Sequence, residues 1–166
     1  MKIPEGIAVE IADGVIRVSG KRGTLERSFD ARKITIKVEN GELTLKIVGK
    51  KNRRSFALEK TLEAHARNML KGAQGDFEKK LQVVFAHFPI SIEQKGKDVL
   101  IKNFLGEKTP RVAKVQGNAK VKVNGQDIVV SGNDREDVGQ TASNIVRATR
   151  ILKRDNRVFQ DGVYYV

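Results

Sequence analysis

The sequence predicts an α+β protein built from two tandem copies of one small two-layer domain, with antiparallel strands packed on a single helix in each copy. Three observations carry this reading. Short runs of alternating apolar and polar residues are punctuated by Asp-Gly and Asn-Gly turns. Two other runs place apolar residues three and four apart, the helical period. The chain also matches itself at an offset of roughly 82–84 residues, too long for a solenoid unit but fitting a duplicated domain.

In the first copy, Ile7, Val9 and Ile11 alternate with polar residues, Asp13-Gly14 reverses the chain, and Val15 to Val18 returns as a hairpin. Gly20-Lys21-Arg22-Gly23 reads as a basic loop at a strand end, lacking the glycines and helix context of a nucleotide-phosphate loop. Ile34 to Val38, Asn40-Gly41 and Leu43 to Ile47 form a second hairpin, with Asn-Gly supplying the positive backbone angles of a tight turn. A helix follows with Leu58, Leu62, His65, Ala66 and Met69 on one face, stopped by Gly72. Lys71 to Gly75 reads as the boundary, giving domains at 1–75 and 76–166.

The second copy opens with a long alternating run from Phe77 to Phe88. Pro89 to Ile92 and Val99 to Ile101 flank a turn at Lys95-Gly96-Lys97. Val121, Val123, Asn124-Gly125, Ile128 and Val130 then repeat the Asn-Gly hairpin. Val138, Ala142, Ile145 and Thr149 stripe the second helix. The acids of Asn133-Asp134-Arg135-Glu136-Asp137 stand at the start of that run. There they satisfy free amides and complement the helix dipole, a better account than metal binding.

Composition narrows the function. The 166 residues include 32 Lys and Arg against 20 Asp and Glu, a formal net charge of +12 shared between both halves. That excess favours a polyanionic partner, nucleic acid above all. With no cysteine, disulfides, thiolate catalysis and zinc-finger sites are excluded. Catalysis has little support: His65 and His87, the two histidines, both fall on apolar runs and read as packed side chains rather than bases. No cofactor or metal is expected. The N-terminal segment lacks an apolar signal run and no stretch is long enough to span a membrane, so the protein reads as soluble and cytoplasmic.

The basic clusters are the candidate site. Lys50, Lys51, Arg53 and Arg54 lie between a strand and a helix, where the second copy is acidic. Arg147, Arg150 and Arg154 recur three and four apart and share a face if the second helix continues, with Lys153, Asn156 and Arg157 extending the same shoulder. Asp155 is the sole acid between Arg147 and Arg157, which points to phosphate contacts. Lys21, Arg22, Lys108, Arg111 and Gln160 complete the set of candidate RNA contacts. Tyr164 and Tyr165 either stack on a base or close the core beneath the second sheet. With aromatics only 5% of the chain, recognition of folded RNA through backbone and shape is expected, rather than base-by-base reading.

From end to end the chain resembles protein six of the large ribosomal subunit, in its archaeal and eukaryotic branch and closest to the archaeal form. The resemblance is carried by Met1-Lys-Ile-Pro-Glu, Gly20-Lys-Arg-Gly-Thr-Leu, Ala86-His-Phe-Pro-Ile, Asn103-Phe-Leu-Gly-Glu-Lys, Gly132-Asn-Asp and Arg157-Val-Phe-Gln-Asp-Gly-Val-Tyr. It implies two tandem α+β domains and a structural rather than enzymatic role. The implied partners are large-subunit rRNA, neighbouring ribosomal proteins including the stalk base, and translation factors docking near the sarcin–ricin region. It also implies that the C-terminal domain and tail make the main RNA contacts. The alternative is a protein-interaction module whose basic surface meets acidic stalk proteins.

Overall fold

A computed structural model describes every residue except Asn40, Lys50, Lys51, Lys153 and Asn156, and the main chain alone of Glu39. The chain divides into two compact units, Met1–Asp76 and Phe77–Val166.

In the first unit, β1 (Ala8–Ala12), β2 (Val15–Gly20) and β3 (Gly23–Ser28) form an antiparallel sheet in chain order. β4 (Ile34–Glu39) and β5 (Glu42–Ile47) form a separate hairpin. The N-terminus lies along β5, its ammonium group donating to the Leu43 carbonyl at 2.9 Å. Helix α1 (Arg53–Gln74) covers these strands. Alternation decides the inward faces: Ile16 and Val18 of β2, Ile34 and Ile36 of β4, and Leu43 of β5 are buried against Leu62, Ala66, Met69, Leu70 and Ala73 of α1.

Gly20 to Gly23 is a tight turn at the end of β2, with Lys21 and Arg22 at its tip before β3 begins. β3 offers only Leu25 as an apolar residue, so alternation does not announce it. Gly72 does not stop the helix. It is buried within α1, which runs on to Gln74 and is capped by Gly75. Leu58, placed on the apolar face by its spacing, remains 41% exposed.

Gly20 is required for close approach. A Cβ there would come within 2.6 Å of the Ala73 carbonyl oxygen and 2.8 Å of the Ala73 Cβ. The obstacle includes helix backbone, which cannot rotate aside as a side-chain tip would. Gly20→Val is therefore expected to cost about 1–3 kcal/mol. Urea unfolding checks this, and an unchanged midpoint would refute the packing.

In the second unit, β7 (Ser91–Lys95), β8 (Asp98–Lys102) and β9 (Arg111–Lys114) repeat the three-stranded sheet. The hairpin of β10 (Lys120–Asn124) and β11 (Asp127–Gly132), followed by α2 (Arg135–Ala148), repeats β4, β5 and α1. Two strands enlarge that hairpin into a four-stranded antiparallel sheet. β6 (Phe77–Val84) pairs with β11, and β12 (Gly162–Tyr165) forms the far edge beside β6, giving the order β10-β11-β6-β12. Leu81, Val83, Ile128, Val130 and Val163 pack beneath Val138, Ala142 and Ile145 of α2. The alternating run expected to reach Phe88 ends at Val84. Beyond it, Phe85 and Phe88 are 36% and 46% exposed, and the chain leaves the sheet.

Candidate nucleic-acid interface

The cations at the C-terminal end of α2 are placed by a helix that stops early. α2 starts where the acids predict, with the Asp134 side chain accepting from the Glu136 amide at 2.8 Å. The Asp137 carboxyl has a raised pKa, chiefly through burial and then through Asp134. The helix does not continue through Arg154 but ends at Ala148. Thr149 is 3% exposed, and its hydroxyl donates to the Val146 carbonyl at 3.0 Å while accepting from the Val163 amide at 3.0 Å. This bond ties the helix end to β12. Arg147, Arg150 and Arg154 therefore share no helical face. Tertiary closure by Thr149 overrides a spacing that would suit a longer helix.

Arg111 belongs to the architecture of that helix end. Its guanidinium donates to the Ala148 and Arg150 carbonyls at 2.9 and 3.2 Å, where a cation complements the terminal carbonyls. Glu107 holds it from the other side at 2.6 and 2.8 Å, and it lies over the buried Phe104 ring at 4.3 Å. The side-chain hydrogen bond from Arg111 keeps the Glu107 carboxyl below the ordinary range. With these contacts Arg111 clips the helix end, while its side chain stays partly exposed.

The tail is fastened by a residue absent from the candidates that sequence reasoning selects. Asp161 is 1% exposed. One of its oxygens accepts from the Ala86 and His87 amides at 2.7 and 3.1 Å, and the other meets His87 Nδ1 at 2.6 Å. Burial acts to raise the pKa of this carboxyl, but the hydrogen bonds from the His87 ring and the two amides outweigh it and hold the pKa below the ordinary value. His87 is correspondingly not a packed strand residue. It follows β6, keeps 35% of its side chain exposed, and stacks on Phe159 at 4.9 Å. Arg154 covers the same Phe159 ring at 4.8 Å. An acid followed by Gly162 within a basic, acid-poor tail is the available signal. The partner lies 74 residues away, beyond any local pattern.

Arg147, Arg150, Phe159 and Tyr164 line one cavity of about 330 Å³ between the end of α2 and β12. Tyr164 and Tyr165 are 48% and 52% exposed, so neither closes the core. Val163, the residue before them, does so. Lys108, Arg157 and Gln160 lie on exposed surface, with the Gln160 carbonyl accepting from the Tyr164 hydroxyl at 3.0 Å. In the first unit, Arg53 and Arg54 sit in the first turn of α1 after the Asn52 cap. Lys21 and Arg22 are at the opposite end, where Arg22 pairs with Asp76 at 3.5 Å. A helix of that length separates the two clusters by roughly 30 Å, so they do not form one patch. Lys50, Lys51, Lys153 and Asn156 lie outside the described residues. Among the described residues no cluster of His, Asp or Glu could hold a metal ion, and no helix is long and apolar enough to cross a membrane.

The duplication seen in the strands and helices is also visible to a family profile. The profile of the Ribosomal protein L6 family matches this chain twice, over residues 3–75 and 88–162. The chain belongs to that family. Relatives agree along the whole length. Large ribosomal subunit protein uL6 of Methanosarcina mazei is 44% identical over 166 residues, spanning 100% of this chain and 94% of that one. The uL6 proteins of Desulfurococcus amylolyticus and Ignicoccus hospitalis are each 44% identical, covering 99% and 98% of this chain and 90% and 89% of their own. The two L6 repeats correspond to the two α+β units, and the archaeal form read from the sequence motifs is the form these relatives represent.

Proposed function

We propose that this L6-family chain is a structural constituent of the large subunit of the cytoplasmic ribosome, not an enzyme, and that it binds large-subunit rRNA. The family assignment supports the assembly. The observation that carries the RNA contact is the grouping of Arg147 and Arg150 around a cavity with an exposed aromatic wall, with no ion pair to either cation among the described residues. Such cations are available to phosphate.

We place the chain at the translation-factor-binding region near the stalk base, with neighbouring ribosomal proteins as further partners. Its two domains, 1–75 and 76–166, divide the work: the second, with its tail, makes the principal RNA contact through Arg147, Arg150, Arg154, Arg157 and Lys153. Lys21, Arg22, Lys108, Arg53, Arg54, Lys50, Lys51, Asn156, Gln160, Tyr164 and Tyr165 are secondary candidates. Crosslinking on assembled large subunits, read out by residue, tests the placement. Crosslinks from the tail to rRNA beside the stalk base are expected. Crosslinks confined to acidic stalk proteins, with association surviving nuclease digestion, would favour the protein-interaction reading instead.

A further inference from the structure

We propose that the cavity between the end of α2 and β12 receives a single unpaired nucleotide projecting from an otherwise folded RNA. The inference rests on the rRNA-binding reading and adds a base-stacking contact to one otherwise drawn from charge and shape.

The walls are suited to a base. The cavity measures about 330 Å³, within the range of sites that bury a small ligand. Val146, Ile151 and Phe159 give it apolar surface, and Arg147 and Arg150 stand beside them. The distinguishing element is Tyr164. Tyr164 is half exposed, yet its ring is held at the hydroxyl end. The hydroxyl donates to the Gln160 carbonyl at 3.0 Å, and the ring lies over Gly162, where a Cβ would come within 3.3 Å of it. Gly162 thus allows the ring to lie against the strand. A rotamer-restricted aromatic face open to solvent loses little entropy when a base stacks on it, and stacking accepts any base. Arg147 and Arg150 supply charge for the phosphates on either side.

An added peptide strand is a poorer occupant. β12 is the edge of its sheet, but the Val163 amide is already taken by the Thr149 hydroxyl, which interrupts the donors that a docking strand would need. A small anion would leave the aromatic wall without a role. The acid in the wall, Asp161, is engaged by two amides and the His87 ring, so it is not an unpartnered charge facing the ligand.

The test measures binding of deproteinised archaeal large-subunit rRNA to the whole protein over a range of salt. Tyr164→Phe keeps the stacking face and should bind like the wild type. Tyr164→Leu keeps apolar cover over Gly162 but removes the face, and should bind roughly five- to a hundredfold more weakly with an unchanged salt slope. Wild-type affinity in Tyr164→Leu overturns the inference while leaving rRNA binding intact. So does an equal loss in Tyr164→Phe, which would assign the effect to the Gln160 hydrogen bond. Absence of binding by the wild type overturns the rRNA reading itself.

Discussion

Replacing Arg147, Arg150, Lys153, Arg154 and Arg157 together with glutamine is expected to weaken rRNA binding on the order of a hundred- to a thousandfold at moderate salt. Every phosphate left without its cation takes about 0.9 from the slope of log affinity against log salt, so five such phosphates flatten it by as much as about 4.5. Arg147 and Arg150 flank the cavity, and Arg154 is carried on the Phe159 ring. Among the described residues no carboxylate lies within ion-pair distance of these guanidinium groups, and Glu107, which feels the charge of Arg154, keeps its pairing with Arg111, so neutralisation leaves no buried acid unpaired. The thermal midpoint should move little. Filter binding across a salt series checks the outcome, and an unchanged affinity and slope would refute the tail as the binding element.

Asp161→Ala is expected to destabilise the second unit by about 2–4 kcal/mol and to release the tail. The substitution leaves the Ala86 and His87 amides without their partner and removes the link to the imidazole, and unmet donors cost more than the net worth of the bonds themselves. The pH dependence follows from the lowered pKa of this carboxyl. A carboxylate with a folded pKa below its unfolded value contributes stability above the unfolded pKa, near pH 4, and loses it as pH falls through the folded value. Wild-type stability should therefore drop in acid below about pH 4, and Asp161→Asn should drop less steeply. Urea midpoints from about pH 7 to about pH 3 follow the onset of that loss in both proteins. Parallel pH curves for the two proteins would refute the assignment. Amide exchange at Val163 and Tyr164 should rise in the Ala variant, since the tail reaches β12 through Asp161.

The legible parts of this protein share one property, that their signal is local. β4 and β5 around Gly41, or β10 and β11 around Gly125, are read from alternation and a turn dipeptide within a dozen residues. Val138, Ala142 and Ile145 fall on the buried stripe that their spacing predicts, because residues three and four apart on an amphipathic helix face the same core, and Thr149 is buried just past the helix end. The cap at Asp134 is legible for the same reason. Where the signal is weak or the partner distant, expectation and structure part. β3 and β9 contribute one and two apolar residues, too few to show a period. α2 is shorter than its arginine spacing suggests because arginine is a good helix former, and nothing near Arg150 marks the stop.

Two copies of an α+β unit, a net charge of +12 and the apolar faces of the helices are all written in residue order and composition. The way the basic tail presents itself is not; it depends on contacts across the fold. Thr149 ends α2 by bonding to β12, Asp161 pins the tail to the segment after β6, and Gly162 leaves room for the Tyr164 ring in the cavity wall it shares with two arginines. The Thr149 and Asp161 bonds join residues 14 to 75 positions apart. Periodicity reports the environment of a residue's near neighbours. A hydrogen bond that closes a long loop forms only after the core has brought its ends together.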